Sequence, residues 1–248
     1  MSFRFIHTAD VHLDSPLVGL SAYGDEAADV VRQASRVALV ALVDLALDRE
    51  VDFMVVAGDL FDGSWPDAGT GHFFTQQMVR LQRQDIPAYV LRGNHDAQSK
   101  FTKSLNWPDN VHTFKSNKPH TFAVKGLDVA LHGQSFATPA VTDNIAIDYP
   151  AAVPGHYNIG VLHTALEGNA QHAPYAPCTL GQLQAFGYDY WALGHVHEYS
   201  CLSTAPHVVY PGNLQGRNIR ETGPKGAVLV DVAENATTLE QVFVDTVR

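Results

Sequence analysis

Residues 51–62 read VDFMVVAGDLFD, and the fold follows from how this stretch is read. Val51 to Ala57 is a near-continuous apolar run that stops at Gly58. Strands buried on both faces have this character, and they belong to parallel sheets covered by helices. On its N-terminal side, Val30, Val37, Leu39, Val40, Val43 and Leu47 recur at roughly helical spacing between about Tyr23 and Glu50. Before that helix, Phe3 to Thr8 reads as a short strand. On the C-terminal side the pattern predicts a helix over Gly71–Gln84 and a third strand over Ile86–Leu91. Strand–helix–strand–helix–strand order implies right-handed crossovers and a largely parallel sheet.

Beyond about Val111 the pattern changes to short strands separated by turn residues: Thr121–Val124, Val129–His132, Ile159–His163, Tyr190–Leu193 and Val208–Tyr210. Ala227–Val232 and Leu239–Val244 close the chain as a hairpin with Glu234-Asn235 at its turn. There is no internal repeat, low-complexity tract or Gly/Ser-rich linker. The expected fold class is therefore α/β, with residues 1–248 as one domain: two mixed β-sheets in a sandwich flanked by helices, a four-layer αββα arrangement.

The 248 residues are 46% hydrophobic and 17% charged, which is enough apolar surface for a substantial core. The formal net charge of −10 excludes a broadly basic nucleic-acid-binding surface, although metal ions or a local basic patch can still hold phosphates. One such patch runs from Arg92 to Lys125, with six basic residues against two acidic ones, whereas Gly126 to Gly216 contains no Lys or Arg. Its competing reading is a solvated loop. Cys178 and Cys201 are too few for a disulfide framework and lack CxxC spacing. No run of about 18 apolar residues is present, and the N-terminal MSFRFIHTADVHLD has no apolar signal core. A soluble cytoplasmic protein with no membrane partner is expected.

Five short sequences carry the chemistry: Asp10-Val11-His12, Gly58-Asp59, Gly93-Asn94-His95-Asp96, His163 within VLHT, and Gly194-His195-Val196-His197. Each lies at or just past the C-terminal end of a predicted strand, the edge where α/β sheets gather their ligand sites. Asp10 with His12, and His195 with His197, are spaced by two, so an extended backbone would point both members of each pair the same way. Oxygen and imidazole donors without a thiolate suit Mn, Fe or Zn. Seven such donors (Asp10, His12, Asp59, Asn94, His163, His195 and His197) exceed what one ion takes and match two ions sharing a carboxylate. Two ions about 3.5–4 Å apart can hold both the attacking and the leaving oxygens of an in-line displacement, the chemistry of phosphoester hydrolysis. Singly, these signals are weak: Asp59 could cap a helix, and a lone His is more often a core or surface residue. Their joint occurrence at successive strand ends is what gives them weight.

The series DxH…GDxxD…GNHD…H…GHxH, from Asp10 to His197, resembles the signature of the calcineurin-like metallophosphoesterase superfamily. HTADVHLD, GDLFD and the late stretch YPGNLQGRNIRETGPKG (Tyr210–Gly226) are similar to the SbcD-type DNA repair exonucleases, which work with an SMC-like ATPase. The resemblance implies that Asp10, His12 and His197 bind one ion and Asn94, His163 and His195 the other, with Asp59 bridging. It implies Mn as the first choice of metal, with Fe or Zn as alternatives, and a hydroxide between the ions that attacks phosphorus. His95 would stabilise the scissile phosphate or protonate the leaving oxygen. Asp96 would orient the GNHD turn, while Asp62 is open between orienting His95 and capping a helix.

Arg92, Arg217 and Arg220 are candidate phosphate contacts, with ordinary surface arginines as the alternative. His7, His72, His112, His120, His132, His156, His172 and His207 are read as structural, and Phe73, Phe74, Met78, Val79 and Leu81 as core. The resemblance also implies a homodimer through helices near this last group. SbcD-type nucleases continue into a DNA-capping domain and an ATPase-docking segment. This sequence stops at Arg248, so no separate capping domain and weak DNA affinity are expected. The leading reading is a metal-dependent DNA exonuclease or endonuclease. A phosphomonoesterase, or a phosphodiesterase for cyclic nucleotides or other small diesters, would use the same donors. A catalytically idle metal-binding scaffold is the third reading, and no donor is missing to favour it.

Overall fold

In the computed structural model, which describes residues 2–15, 25–63, 68–98, 107–166, 173–218, 220–234 and 236–247, the apolar run after Val51 is an interior strand. The first half supplies β1 (Phe3–Thr8), α1 (Asp25–Asp48), β2 (Phe53–Ala57), α2 (Ala68–Gln82), β3 (Ala88–Leu91), the short α3 (Asn94–Gln98) and β4 (Val111–Thr113). The four strands pair in parallel in chain order, and every residue of β2 is buried, which is why its sequence shows no alternation.

The second half builds another sheet from β5 (His120–Ala123), β6 (Val129–Gly133), β7 (Tyr157–His163), β8 (Tyr190–Gly194), β9 (Ser200–Thr204) and β10 (His207–Tyr210), in the order β5-β6-β7-β8-β10-β9. A single turn of 3₁₀ helix covers Ile145–Asp148, and α4 (Leu180–Gln184) starts from a capping box at Thr179. The chain then returns to the first sheet. There β11 (Gly226–Ala233) pairs antiparallel with β1, and β12 (Ala236–Phe243) forms the edge. Both six-stranded sheets are therefore mixed, as expected.

The expected hairpin is β11–β12, with Asn235 of its turn outside the described residues. The strands β4 and β9 were not expected. The first has three residues, and the second (SCLST) lies at an edge with almost no buried side chain, so neither leaves a periodic apolar signal.

Three apolar clusters hold these layers. Between the sheets, Phe5 and Phe53 stack at 4.9 Å, and Tyr190 meets Phe5 edge-on at 5.4 Å. Outside the first sheet, Ala38, Leu39, Leu42, Val43 and Ala46 of α1 pack with Phe74, Met78 and Leu81 of α2. Truncating a residue such as Leu42 to Ala in such a setting costs about 2–5 kcal/mol. Val37, read as part of the apolar stripe, instead faces outward, and Phe73 and Val79 are only half-buried. The third cluster joins Trp191, Leu193 and Leu162 to Leu183 of α4 and Tyr149.

Candidate metal centre

Strand register brings the five motifs together. Phe5 to Thr8 of β1 pair with Phe53 to Val56 of β2, and the alignment continues past the strand ends. The amides of Asp10, His12 and Leu13 donate to the carbonyls of Gly58, Asp59 and Leu60, each at 3.0 Å. Ala57 pairs with Leu91 of β3, so Gly93 and Asn94 follow beside Asp59, and His163 of β7 pairs with Gly194 of β8.

The spaced pairs do not lie on extended backbone, which corrects the expectation from their spacing. Asp10, His12, Asp59 and His195 have φ of 50°, 44°, 52° and 99°, all in the left-handed region that non-glycine residues rarely occupy. Strain of this kind, of order 1–3 kcal/mol per residue, clusters at functional sites. Here it turns the side chains inward where a straight strand would splay them.

Two groups of donor atoms result. In the first, His197 Nε2 and His12 Nε2 lie 3.8 and 3.9 Å from Asp10 Oδ1 and 3.3 Å from each other. In the second, His163 Nε2 lies 3.4 Å from Asp59 Oδ2 and 3.0 Å from Asn94 Oδ1. Asp59 Oδ2 also stands 3.9 Å from His12 Nε2, so this carboxylate lies between the groups. Donor atoms of Asp10, His12 and His197, and those of Asp10, Asp59 and His163, each lie within 4.8 Å of one another. A third such set, His12, Asp62 and His95, adjoins them. His195 falls in none of these sets. Its ring stands 5.2 Å from that of His163, and its Nε2–H donates to the Ala173 carbonyl at 3.0 Å, which leaves Nδ1 as the acceptor of the neutral ring.

Burial makes this arrangement costly without cations. Asp10, His12, Asp59 and His163 are at most 1% exposed, and Asp10 Oδ1 and His12 Nδ1 have no hydrogen-bond partner among the described residues. Burial pushes the Asp10 carboxyl up and the His12 imidazole well down, the latter helped by the Arg217 charge. Burial also opposes ionisation of Asp59, but His163 outweighs it and holds that carboxyl well below its usual range. His163 in turn is lowered by burial and raised more strongly by Asp59, to about 9. The pair thus holds a positive charge between Asp59 and His163, where a divalent ion can replace the proton. His163 Nδ1 donates to the Ala57 carbonyl at 2.9 Å, which aims Nε2 inward. The backbone leaves room only for these side chains. A Cβ on Gly58 would sit 2.2 Å from His163 Nδ1, and one on Gly93 would sit 2.3 Å from Asp59 Oδ1. The donor chemistry, the stranded Asp10 oxygen and the required positive charge all fit a pair of divalent ions.

His95 borders the centre, half-exposed, with its ring 4.9 Å edge-on from His12 and its amide donating to Asp59 Oδ1 at 2.9 Å. Its Nδ1 lies 2.5 Å from Asp62 Oδ1, so of the two roles left open for Asp62 it takes up the one beside His95. The Asp62 hydrogen bond raises the His95 pKa, with burial opposing. Asp96 accepts from the amides of Gly93 (3.0 Å), Phe61 (2.9 Å) and Leu60 (3.2 Å) and so clamps the GNHD turn to the GDLFD turn. Burial and the Asp59 charge push its pKa up to about 7.

Of the candidate phosphate contacts, Arg217 is already engaged by Asp62 and Ser15, Arg92 is half-buried, and Arg220 is exposed. Lys115, Lys118 and Lys125 of the basic segment are exposed, while Lys100 and Lys103 lie outside the described residues. His7 and His132 are buried among structural partners, as expected, and His172 is outside the described residues. Sequence reasoning missed Glu221, whose Oε1 lies 2.9 Å from His197 Nδ1. Burial would raise this carboxyl, yet the His197 contact and backbone donors hold it at about 2. The only pointer to it was its place inside the quoted Tyr210–Gly226 stretch.

Comparison with known proteins agrees with this geometry. An uncharacterized metallophosphoesterase, YhaO, of Bacillus subtilis is 38% identical over 95% of this chain and 59% of its own length. The D component of the nuclease SbcCD from Staphylococcus saprophyticus is 24% identical over 95% of this chain and 67% of its own. The DNA double-strand break repair protein Mre11 of Saccharolobus solfataricus is 26% identical over 99% and 64%. The chain thus spans about 59–67% of the length of these relatives. Among solved structures, a dimetal phosphatase from Danio rerio shares the fold, with a TM-score of 0.56 at 12% identity over 96% of this chain and 95% of the other. Among the described residues no helix is long and apolar enough to cross a membrane. With the family model of the calcineurin-like phosphoesterases matching residues 3–199, this chain belongs to that family of metal-dependent hydrolases.

Proposed function

We propose that this phosphoesterase is a two-metal phosphodiesterase that cleaves DNA, an exonuclease or endonuclease of the SbcD type acting in DNA repair. The observation that carries the reading is the convergence of Asp10, His12 and His197 on one side of Asp59, and of His163 and Asn94 on the other, with His95 alongside. Asp10, His12 and His197 would hold one ion, and Asn94, His163 and His195 the other, with Asp59 shared between them. Two bound divalent ions supply charge neutralisation for the phosphate and an activated water at neutral pH. The chain's own part is positioning and proton transfer. His95, held by Asp62, faces the leaving side and stabilises or protonates the departing oxygen.

Mn²⁺ is the expected activator, since oxygen and imidazole donors without thiolate suit it. The likeness to a component of the nuclease SbcCD supports an SMC-like ATPase as partner and the bacterial cytoplasm as the setting. One observation favours a second reading, a small phosphodiester as substrate: the net charge is −10, and Arg217 is taken up by Asp62 instead of facing open solvent. The test is a Mn²⁺-dependent time course on an end-labelled DNA duplex with wild type and His95→Gln. A ladder with wild type that vanishes in the variant supports the nuclease. An intact duplex with continued hydrolysis of a chromogenic diester gives the second reading the lead.

A further inference from the structure

The segment from Pro211 to Lys225 carries the chain from β10 in the second sheet to β11 in the first, along the edge of the centre. Two of its side chains reach in from positions four apart. Glu221 Oε1 lies 2.9 Å from His197 Nδ1 and accepts from Asn218 Nδ2 at 2.8 Å. Its Oε2 accepts from Asn213 Nδ2 at 2.7 Å and from the Arg217 amide at 2.8 Å. Four donors on one carboxylate leave no place for an amide in its stead, because a Gln would turn its own donor onto one of them. With Nδ1 so occupied, the His197 ring presents Nε2 to Asp10. Lys225 Nζ holds the backbone carbonyl of the same histidine at 2.9 Å.

Arg217 works on the other side. Its guanidinium binds Asp62 Oδ2 and, at 2.8 Å, Ser15 Oγ, while the second oxygen of Asp62 takes His95 Nδ1 at 2.5 Å. An arginine held this way is not poised as a phosphate grip. It fixes the carboxylate that fixes the histidine.

We propose that this strap carries two positioning residues: Glu221 sets the ring of His197 for its metal ion, and Arg217 sets Asp62 and through it His95. One connection between the sheets thereby aligns the metal centre and its proton-transfer group. The inference rests on the two-metal reading above. Hydrogen-bond partners behind a ligating histidine are worth about 10–100-fold in metal affinity, so Glu221→Gln is expected to weaken one site by that factor and spare the other. Arg217→Ala is expected to leave both affinities unchanged and to lower kcat about tenfold or more at constant KM, with partial recovery in Arg217→Lys.

The experiment is calorimetric titration of Mn²⁺ into metal-stripped wild type and variants, together with kcat and KM on bis(p-nitrophenyl) phosphate. Metal-free melting curves identify the folded variants. If Glu221→Gln does not fold, Glu221→Asp, which keeps the charge but shortens the reach, is expected to weaken the same site. Two ions bound as tightly by these Glu221 variants as by wild type would overturn the role of Glu221 and leave the two-metal reading standing. A raised KM with kcat intact in Arg217→Ala would make that residue a phosphate contact and overturn its positioning role. Wild type that takes up no ion would overturn the two-metal reading and this inference together.

Discussion

His95 Nδ1 stands 2.5 Å from one oxygen of Asp62, whose other oxygen is held by Ser15 Oγ at 2.5 Å and by Arg217. A histidine with one nitrogen fixed by a carboxylate has its other nitrogen aimed and its protonated form favoured, the requirements for a group that delivers a proton. His95→Gln is expected to lower kcat by about 10²–10⁴-fold with metal content unchanged. Asp62→Asn is expected to cause a smaller loss, and the double variant to be no worse than His95→Gln, because Asp62 acts through His95. Losses that multiply in the double variant would show that Asp62 has an independent role.

Much of this centre was legible because full burial writes itself into sequence. The runs VDFMVVA and YWALG carry no polar residue at alternate positions, and each ends at a glycine followed by an ionisable residue. That is how Asp59 and His195 announce themselves. The left-handed backbone at Asp10, His12 and His195 was not legible, since no residue-type preference points to it and only the crowding of three strand ends produces it. Glu221 stayed hidden for a related reason: its contact with His197 joins residues 24 apart through a loop with no periodicity. The strands β4 and β9 are short edge strands whose residues look like loop.

Gly93 lies where the two donor groups meet. A Cβ there would stand 2.3 Å from Asp59 Oδ1 and 2.8 Å from His163 Nε2, distances that force both side chains away. Gly93→Ala is therefore expected to lose bound metal and activity while keeping its far-ultraviolet spectrum. In Gly181→Ala the nearest neighbour of the new methyl is Thr179 Oγ1 at 4.0 Å, so this variant serves as a neutral control. Metal analysis after gel filtration checks both, and full metal occupancy in Gly93→Ala would contradict the crowded geometry.

His7 sets a pH limit on stability independent of the metal centre. It is fully buried between Tyr190 Oη (3.0 Å) and the Leu193 carbonyl (3.1 Å), and burial lowers its pKa from 6.5 to about 3. The unfolded chain therefore takes up a proton below pH 6.5 that the folded chain refuses until about pH 3. This contribution is fully present above 6.5 and is lost as pH falls through that window. Between pH 7 and pH 5 the loss comes to about 2 kcal/mol. Urea unfolding of wild type and His7→Gln at both pH values checks it. The stability difference between the two is expected to shift by about that amount in favour of the variant at pH 5, and a constant difference would remove His7 from the account.

DNA affinity is expected to be weak, and the reason is electrostatic. Non-specific binding draws on lysines and arginines that displace counterions along the phosphate track, and each such contact steepens the dependence on salt. Here the net charge is −10, Gly126 to Gly216 offers no cation, and Arg217 is committed to Asp62. Two divalent ions add local positive charge at the scissile phosphate but none along the flanking backbone. Fluorescence anisotropy with a labelled duplex, metal-loaded His95→Gln and a salt series measures this directly. The expected result is a Kd weaker than the low micromolar range at physiological salt, with a slope of log K against log salt of only about −2 to −3. Low-micromolar or tighter binding would mean that the exposed Lys115, Lys118 and Lys125, together with Arg220, form a continuous track. Replacing them with Gln would then have to flatten the salt slope by about one unit per residue engaged.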